Sequence, residues 1–443
     1  MKKILLSGSL LIMLSGLFAQ DTKKLKTYLD AKQYDKAKAE VDAAILKNPA
    51  DPSALYHKSK VYVALAADPQ FKTSVPDARE QAFDAFKKAI DTDKDNKVLL
   101  LATQDQYKPI FDLYTAYYDA GAAAFNSGAT SGKKAEYDQA LTLFKNSDMV
   151  GKYVFSKKWA LSEIDTQLVL TIAKAAINAG KKDEAVKYLK ILADGNISGT
   201  ANDKASYQLP YQWLSYYYKD AYQTDTSQIL KKQHDANFLK YSALGKKYYP
   251  KDDYFDAIML DYYRDKKDHD QLFKTYAEIT TAYPDSVQYH FNYSNEIFNY
   301  VYNSDAGTKI NNKEALLKTV GIELEKSLAA KPEDVNTNWL YGQYYYNQGI
   351  DLKEMAFAVK GTKPEDVKKK ADLNALSKDV LNKAIPFADK ALSLLEAGNK
   401  KTDKSKYKSI ADLMQRIYTS LNKADKVKLY TAKYDTADTK FVN

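Results

Sequence analysis

Residues 31–49 read AKQYDKAKAEVDAAILKNP, with Tyr34, Ala37, Val41 and Ala44 stepping by three, four and three. Such steps put four small or apolar side chains on one face of an α-helix. The two alanines let another helix approach closely. Pro49, with no backbone donor and a fixed φ, ends the element. The same face returns at Ala82, Phe86 and Ala89, at Ala140 and Phe144, at Ala185, Leu189 and Leu192, and at Ala384, Ala388 and Ala391. Recurrence of one amphipathic helix at variable spacing predicts a chain built from stacked helix pairs, since a lone pair cannot bury both of its apolar faces.

Taken in order, the pattern predicts helices over 21–30 and 35–47 around a bend at 32–34. A second repeat starts at Asp51-Pro52, with Leu55, Ser59 and Tyr62 inward and a longer loop at 67–77. Residues 98–113 read as an extra or extended helix kinked at Pro109, and a third repeat carries Tyr117, Gly121, Tyr137, Ala140 and Phe144 with an insertion at 129–135. A compact fourth repeat, a fifth with a polar insertion at 224–228, and a sixth over 252–284 follow. The seventh and eighth align at an offset of 48, matching Pro284 with Pro332, Phe291 with Trp339, Ser294 with Gly342 and Ile297 with Tyr345. A Lys-rich insertion at 350–378, helical in part, interrupts the eighth; a last repeat at 406–434 caps the array, and 435–443 reads as a frayed, flexible tail. The expectation is an all-α solenoid over 20–434, with no sheet and about 18 to 20 helices.

Residues 1–19 stand apart. Lys2 and Lys3 precede the apolar run 4–18, and Ala19-Gln20 offers a small-residue cleavage site, the layout of a secretory signal peptide with Gln20 as the mature start. The run is shorter than the roughly 20 residues a spanning helix needs. The chain has no cysteine, hence no disulfide framework and no lipid-anchor cysteine. The leader resembles those of Bacteroidetes secretory proteins, which implies a periplasmic or secreted chain. The formal charge of +9 does not point to nucleic acid: only Arg79, Arg264 and Arg416 are arginines, and the lysines alternate with acids as on a solvated helix face.

Together these landmarks resemble the tetratricopeptide repeat family: an aromatic, a large apolar, a small residue and a tyrosine on the first helix; alanine, an aromatic and alanine on the second; then proline. Tyr117, Gly121, Gly128, Tyr137, Ala140 and Phe144 carry it, as do Tyr34, Ala37, Ala44 and Pro49, and Gly342, Tyr345, Gly349, Ala384 and Ala391. Insertions, and Thr-Asp-Lys where the second repeat wants proline, depart from it. The resemblance implies a right-handed superhelical solenoid of antiparallel pairs, about nine repeats, whose first helices line a concave groove for peptide or protein segments.

Catalytic chemistry finds little footing. The histidines, His57, His234, His269 and His290, share no metal-ligand spacing, and no nucleophile elbow or phosphate-cradling glycine loop occurs. No cofactor or metal is expected. Asp91-Thr-Asp93-Lys-Asp95-Asn96 opens like a calcium loop, but Asn96 replaces the turn glycine and Ala102 the bidentate glutamate; a repeat-end turn is the competing reading. Asn-x-Gly recurs at Asn126, Asn178 and Asn347, either as a helix end or as a groove amide.

The 37 tyrosines pack helices or line a groove. A residue three before the small position of each first helix turns 60° from it, toward the groove. Those residues are Tyr56, Tyr118, Phe291 and Trp339, in two clusters along the chain; with Tyr346 and Asn347 they form the candidate partner-binding groove, in which Phe291 and Trp339 with Tyr346 and Asn347 nearby make one anchor site, the competing reading being that the rings fill gaps between neighbouring first helices. The leading function is a non-enzymatic periplasmic scaffold for a peptide or protein; the rival is a glycan-binding repeat protein of an outer-membrane uptake system, against which the missing anchor cysteine counts.

Overall fold

A computed structural model describes residues 23–71, 73–304, 310–398 and 400–441. The leader and the mature start at Gln20 lie outside the described residues. Among the described residues there are 19 helices and no strand. They are α1 (23–30), α2 (Tyr34–Lys47), α3 (Pro52–Ala67), α4 (Ala78–Thr92), α5 (Lys97–Gln104), α6 (Lys108–Ser131), α7 (Lys134–Ser156), α8 (Thr166–Ala179), α9 (Lys182–Asp194), α10 (Gln208–Thr224) and α11 (Gln228–Tyr248). There follow α12 (Tyr254–Asp265), α13 (His269–Ala282), α14 (Val287–Tyr302), α15 (Lys313–Ala330), α16 (Val335–Ala358), α17 (Pro364–Gly398), α18 (Lys404–Ser420) and α19 (Ala424–Lys440). The chain divides into two compact bodies, Met1–Phe255 and Asp256–Asn443. Within each body helices pack as antiparallel pairs, such as α3–α4, α6–α7, α14–α15 and α16–α17, and second helices pack on the first helix that follows, as α7 on α8 and α17 on α18; the fold is a tetratricopeptide-like helical-repeat solenoid.

Helix starts follow the sequence chemistry. Asp51, Asp165, Ser286 and Asp334 cap α3, α8, α14 and α16 with side-chain oxygens that accept from the backbone N–H three residues on. Such a cap satisfies a donor that the helix cannot. Ser286 and Asp334 stand 48 residues apart, so the offset between the seventh and eighth repeats extends to their caps.

In the first body, Ala37, Val41, Tyr62, Ala82, Phe86, Ala89 and Tyr117 share one continuous apolar core. Gly121 marks the packed face as expected: a Cβ there would lie 2.7 Å from the Phe144 ring. Pro109 does not kink a helix. Gln106 and Tyr107 take positive φ and turn the chain, and Pro109 opens α6, where its missing N–H breaks no bond. The insertion expected at 129–135 is two helix ends joined by Gly132-Lys133. Asn126-x-Gly128 therefore lies inside α6; Gly128 admits the Tyr137 ring, where a Cβ would sit 3.1 Å away, and Gly132, at φ 70°, ends the helix.

In the second body two apolar clusters follow one another, with Tyr345 touching both. The 350–378 insertion is not a loop. α16 and α17 run on through it, joined at 359–363, and Ser377 Oγ donates to the Gly349 carbonyl at 2.7 Å. Asn347-x-Gly349 is consequently mid-helix, and a Gly349 Cβ would meet Leu381 at 2.6 Å. Of the three triplets only Asn178-x-Gly180 ends a helix, with Gly180 at φ 76°. The tail expected to fray continues α19 to Lys440, and Phe441 is buried against the Tyr407 ring, centroids 4.8 Å apart.

Candidate binding groove

The tyrosine positions read from the sequence divide. Tyr56 is core, 1% exposed, its ring 5.9 Å from that of Phe86. Its hydroxyl donates to Asp105 at 2.8 Å. A 60° turn from the packed face leads to a groove only on an isolated helix; α5 and the α5–α6 turn, packed beside α3, cover the ring here. Tyr118 is half-buried and leans on Phe144, 5.5 Å away, so it serves the α6–α7 pair.

Phe291 is half-buried against the first cluster of the second body, whereas Trp339 and Tyr346 join the second. Phe291 and Trp339 therefore do not form one anchor cluster. Tyr346 faces Asp412 and Arg416 of α18, which pair at 2.9 Å; burial raises its hydroxyl pKa, with Arg416 opposing. The Trp339 indole N–H is buried with no partner among the described residues. Asn347 is half-buried within α16. Three consecutive tyrosines leave α16 in three directions: Tyr344 beneath Gly321, Tyr345 stacked on Phe387, and Tyr346 on α18.

The acids of the calcium-like stretch are otherwise engaged. Asp93 accepts from the backbone N–H groups of Lys97 and Leu99 at 3.0 and 2.9 Å and so holds the start of α5. No group of three or more His, Cys, Asp or Glu side chains that could hold a metal is found among the described residues.

One open groove was not foreseen. It lies within the first body, has a volume of about 480 Å³, and is walled by α1, α3, α6 and the end of α5. Leu29, Val63, Ala64, Ala67, Pro109 and Ala116 give it an apolar floor, and Tyr34 stands at its α1–α2 turn. Asp30, Asp105, Asp112, Asp119, Lys60 and Lys108 supply its charge. On α3 the lining positions 60, 63, 64 and 67, and on α6 positions 108, 112, 115, 116 and 119, fall at helical spacing on one face. In the sequence that stripe looks like any solvated helix face, because most of its apolar members are small.

Asp105 is the fixed point of the groove. Tyr56 Oη and Lys60 Nζ both donate to its Oδ2, at 2.8 and 2.7 Å. Burial pushes its carboxyl upward, but these two hydrogen bonds outweigh that and leave its pKa below the ordinary value. Burial, then the Asp105 contact, drives the Tyr56 hydroxyl far above its usual pKa. His57, one residue on, falls to about 4 through burial and the Lys60 charge, so it is neutral at pH 7.

No protein-family model matches the sequence, and no curated protein matches it either. Solved structures similar to it include a monomeric IFIT1 mutant with m7Gppp-AAAA, 13% identical over 85% of this chain and 68% of that one, TM-score 0.28. Others are the APC/C hetero-tetramer Cut9-Hcn1 (10% identity, 93% and 95% covered, TM-score 0.20) and a circular tandem repeat protein (8%, 97% and 90%, 0.19). Likeness at this level carries no functional argument, and the reading below rests on the chain's own geometry.

Proposed function

We propose that the protein is a non-catalytic scaffold that holds a peptide or protein segment along the first helices of its repeats. The observation that carries this is the groove of the first body, an apolar floor with a charged rim between α1, α3 and α6. Small floor residues leave room for side chains of a partner, and helix faces of fixed spacing suit an extended segment. The leader read at 1–19 favours the periplasm or the exterior as the place of action. Among the described residues no helix is long and apolar enough to cross a membrane. Tyr56 is core and Tyr118, Phe291 and Trp339 pack against neighbouring helices, so these four rings offer the alternative, a glycan, no open platform.

The test is panning of a random peptide library on the full chain, followed by solution binding to the wild type and to Ala116→Trp. Ala116 lines the groove and is half-buried, so an indole there fills the channel. Enriched peptides that bind the wild type and not the variant, at equal melting temperature, support the reading. Absence of any enrichment, or binding indifferent to Ala116→Trp, overturns it.

A further inference from the structure

We infer that this groove selects cationic segments, specifically an extended peptide with Lys or Arg side chains three residues apart. The inference rests on the groove being a peptide site. The chain as a whole is basic, +9, yet the groove goes the other way, with four carboxylates against two ammonium groups. Both ammonium groups are already engaged within it: Lys60 on Asp105 at 2.7 Å, and Lys108 on Asp112 at 2.7 Å. Asp30 and Asp119 are exposed and make no hydrogen bond or ion pair among the described residues. The unmet charge of the groove is therefore negative, and it sits beside an apolar floor.

The spacing narrows the ligand. Asp112 and Asp119 lie seven residues apart on one face of α6, about 10.5 Å along the axis. A polyproline-II-like peptide presents same-side residues every third position, about 9.3 Å apart. A Lys-x-x-Lys segment thus sets one ammonium group at each carboxylate, with its intervening side chains over Val63, Ala64 and Ala116. Lys108 does not bar this. Its side chain is 71% exposed, and an exposed i,i+4 pair with Asp112 exchanges readily for an incoming cation. Tyr34 adds an aromatic ring at the α1 end of the groove, near Asp30, a favourable neighbour for a cationic side chain.

The experiment measures binding of three labelled peptides of equal length and apolar content to the full chain by fluorescence polarisation. One carries Lys-x-x-Lys, one Gln-x-x-Gln and one Glu-x-x-Glu. Asp112→Asn, Asp119→Asn and Ala116→Trp are measured alongside, with melting temperatures. Expected are tightest binding of the lysine peptide, weakening with added salt, and a loss of about threefold to fivefold for each Asn variant. Asp119 is exposed and Asp112 pairs only with the exposed Lys108, so the Asn variants keep their melting temperature. If the glutamine or glutamate peptide binds as tightly, or the Asn variants change nothing while Ala116→Trp abolishes binding, the charge selection is wrong and the peptide groove stands. If no peptide of any charge binds, both fail.

Discussion

The imidazole of His290 and the carboxylate of Glu323 meet at 2.5 Å inside the second body, joining α14 to α15. His290 is wholly buried and Glu323 is 5% exposed. The other ring nitrogen donates to the Pro284 carbonyl at 2.8 Å, and the other carboxylate oxygen accepts from Lys326 at 2.8 Å. No metal-ligand spacing involves His290 in the sequence; its role is to tie the repeat-start turn at Pro284 to the second helix of the same repeat.

Removing one member strands the other in a closed space. Glu323→Met alone is expected to cost about 3 kcal/mol or more, as for other broken buried pairs. The double variant His290→Phe with Glu323→Met is expected to cost less than the sum of the singles, because no polar group is left unpaired. Urea unfolding of the four proteins measures the coupling. Additive losses would mean that the two side chains act independently.

Glycines at helix crossings should rank by what a Cβ would strike. At Gly245 it would overlap the Phe255 ring, at Gly121 it would lie 2.7 Å from Phe144, and at Gly132 it would meet nothing. Alanine at Gly245 and Gly121 is expected to destabilise by roughly 1–3 kcal/mol through overpacking, with Gly245 the worse. Gly132→Ala carries only the strain of its φ of 70°, about 1 kcal/mol. Thermal melts of the three variants test the order.

These glycines also show what was legible. Helix pairing could be read because small residues recur at a fixed place on an apolar face: Gly121, Ser294 and Gly342 all lie at helix–helix contacts. Helix ends were harder. Asn126-x-Gly128 and Asn178-x-Gly180 are alike in sequence, yet a ring from the next helix makes the first a mid-helix contact and its absence leaves the second a terminus. The aromatics could be assigned neither to core nor to groove for a related reason. A residue 60° off the packed face points to a groove only when no further helix lies there, and α5 lies beside Tyr56. The groove found instead is lined by alanines and aspartates, which a single sequence shows equally on any solvated face.

Glu396 supplies a pH test. Burial raises its pKa, but Lys433, Tyr407 and Lys440 outweigh that and lower it to about 2. The lysines stand 2.8 and 3.0 Å away and fasten α19 to α17. A carboxyl depressed on folding stabilises above its unfolded pKa of roughly 4.3, and that contribution is lost as pH falls toward 2. Because the site is partly open to solvent, about 1–2 kcal/mol is expected rather than the full linkage value. Glu396→Gln should lower the melting temperature at pH 7 and converge on the wild type near pH 2. A constant difference across that range would place the effect in packing instead of charge.

Trp339 decides whether the aromatics of the second body are binding residues or filling. Its ring packs in the cluster formed by α16, α17 and α18, and its indole N–H is buried without a partner among the described residues. A side chain held for packing should tolerate Trp339→Phe, which removes the unmet donor and keeps most of the apolar surface. Trp339→Ala should cost about 3 kcal/mol, since it opens a cavity against the cluster of α16, α17 and α18. Phe291→Ala should act separately, because Phe291 belongs to the other cluster, so the two losses should add. Melting temperature and binding of groove-selected peptides are measured together. Lower melting with peptide affinity unchanged at a temperature where the variants stay folded assigns Trp339 to the core. Unchanged melting with lost binding would return the partner site to the second body, as the residue pattern first suggested.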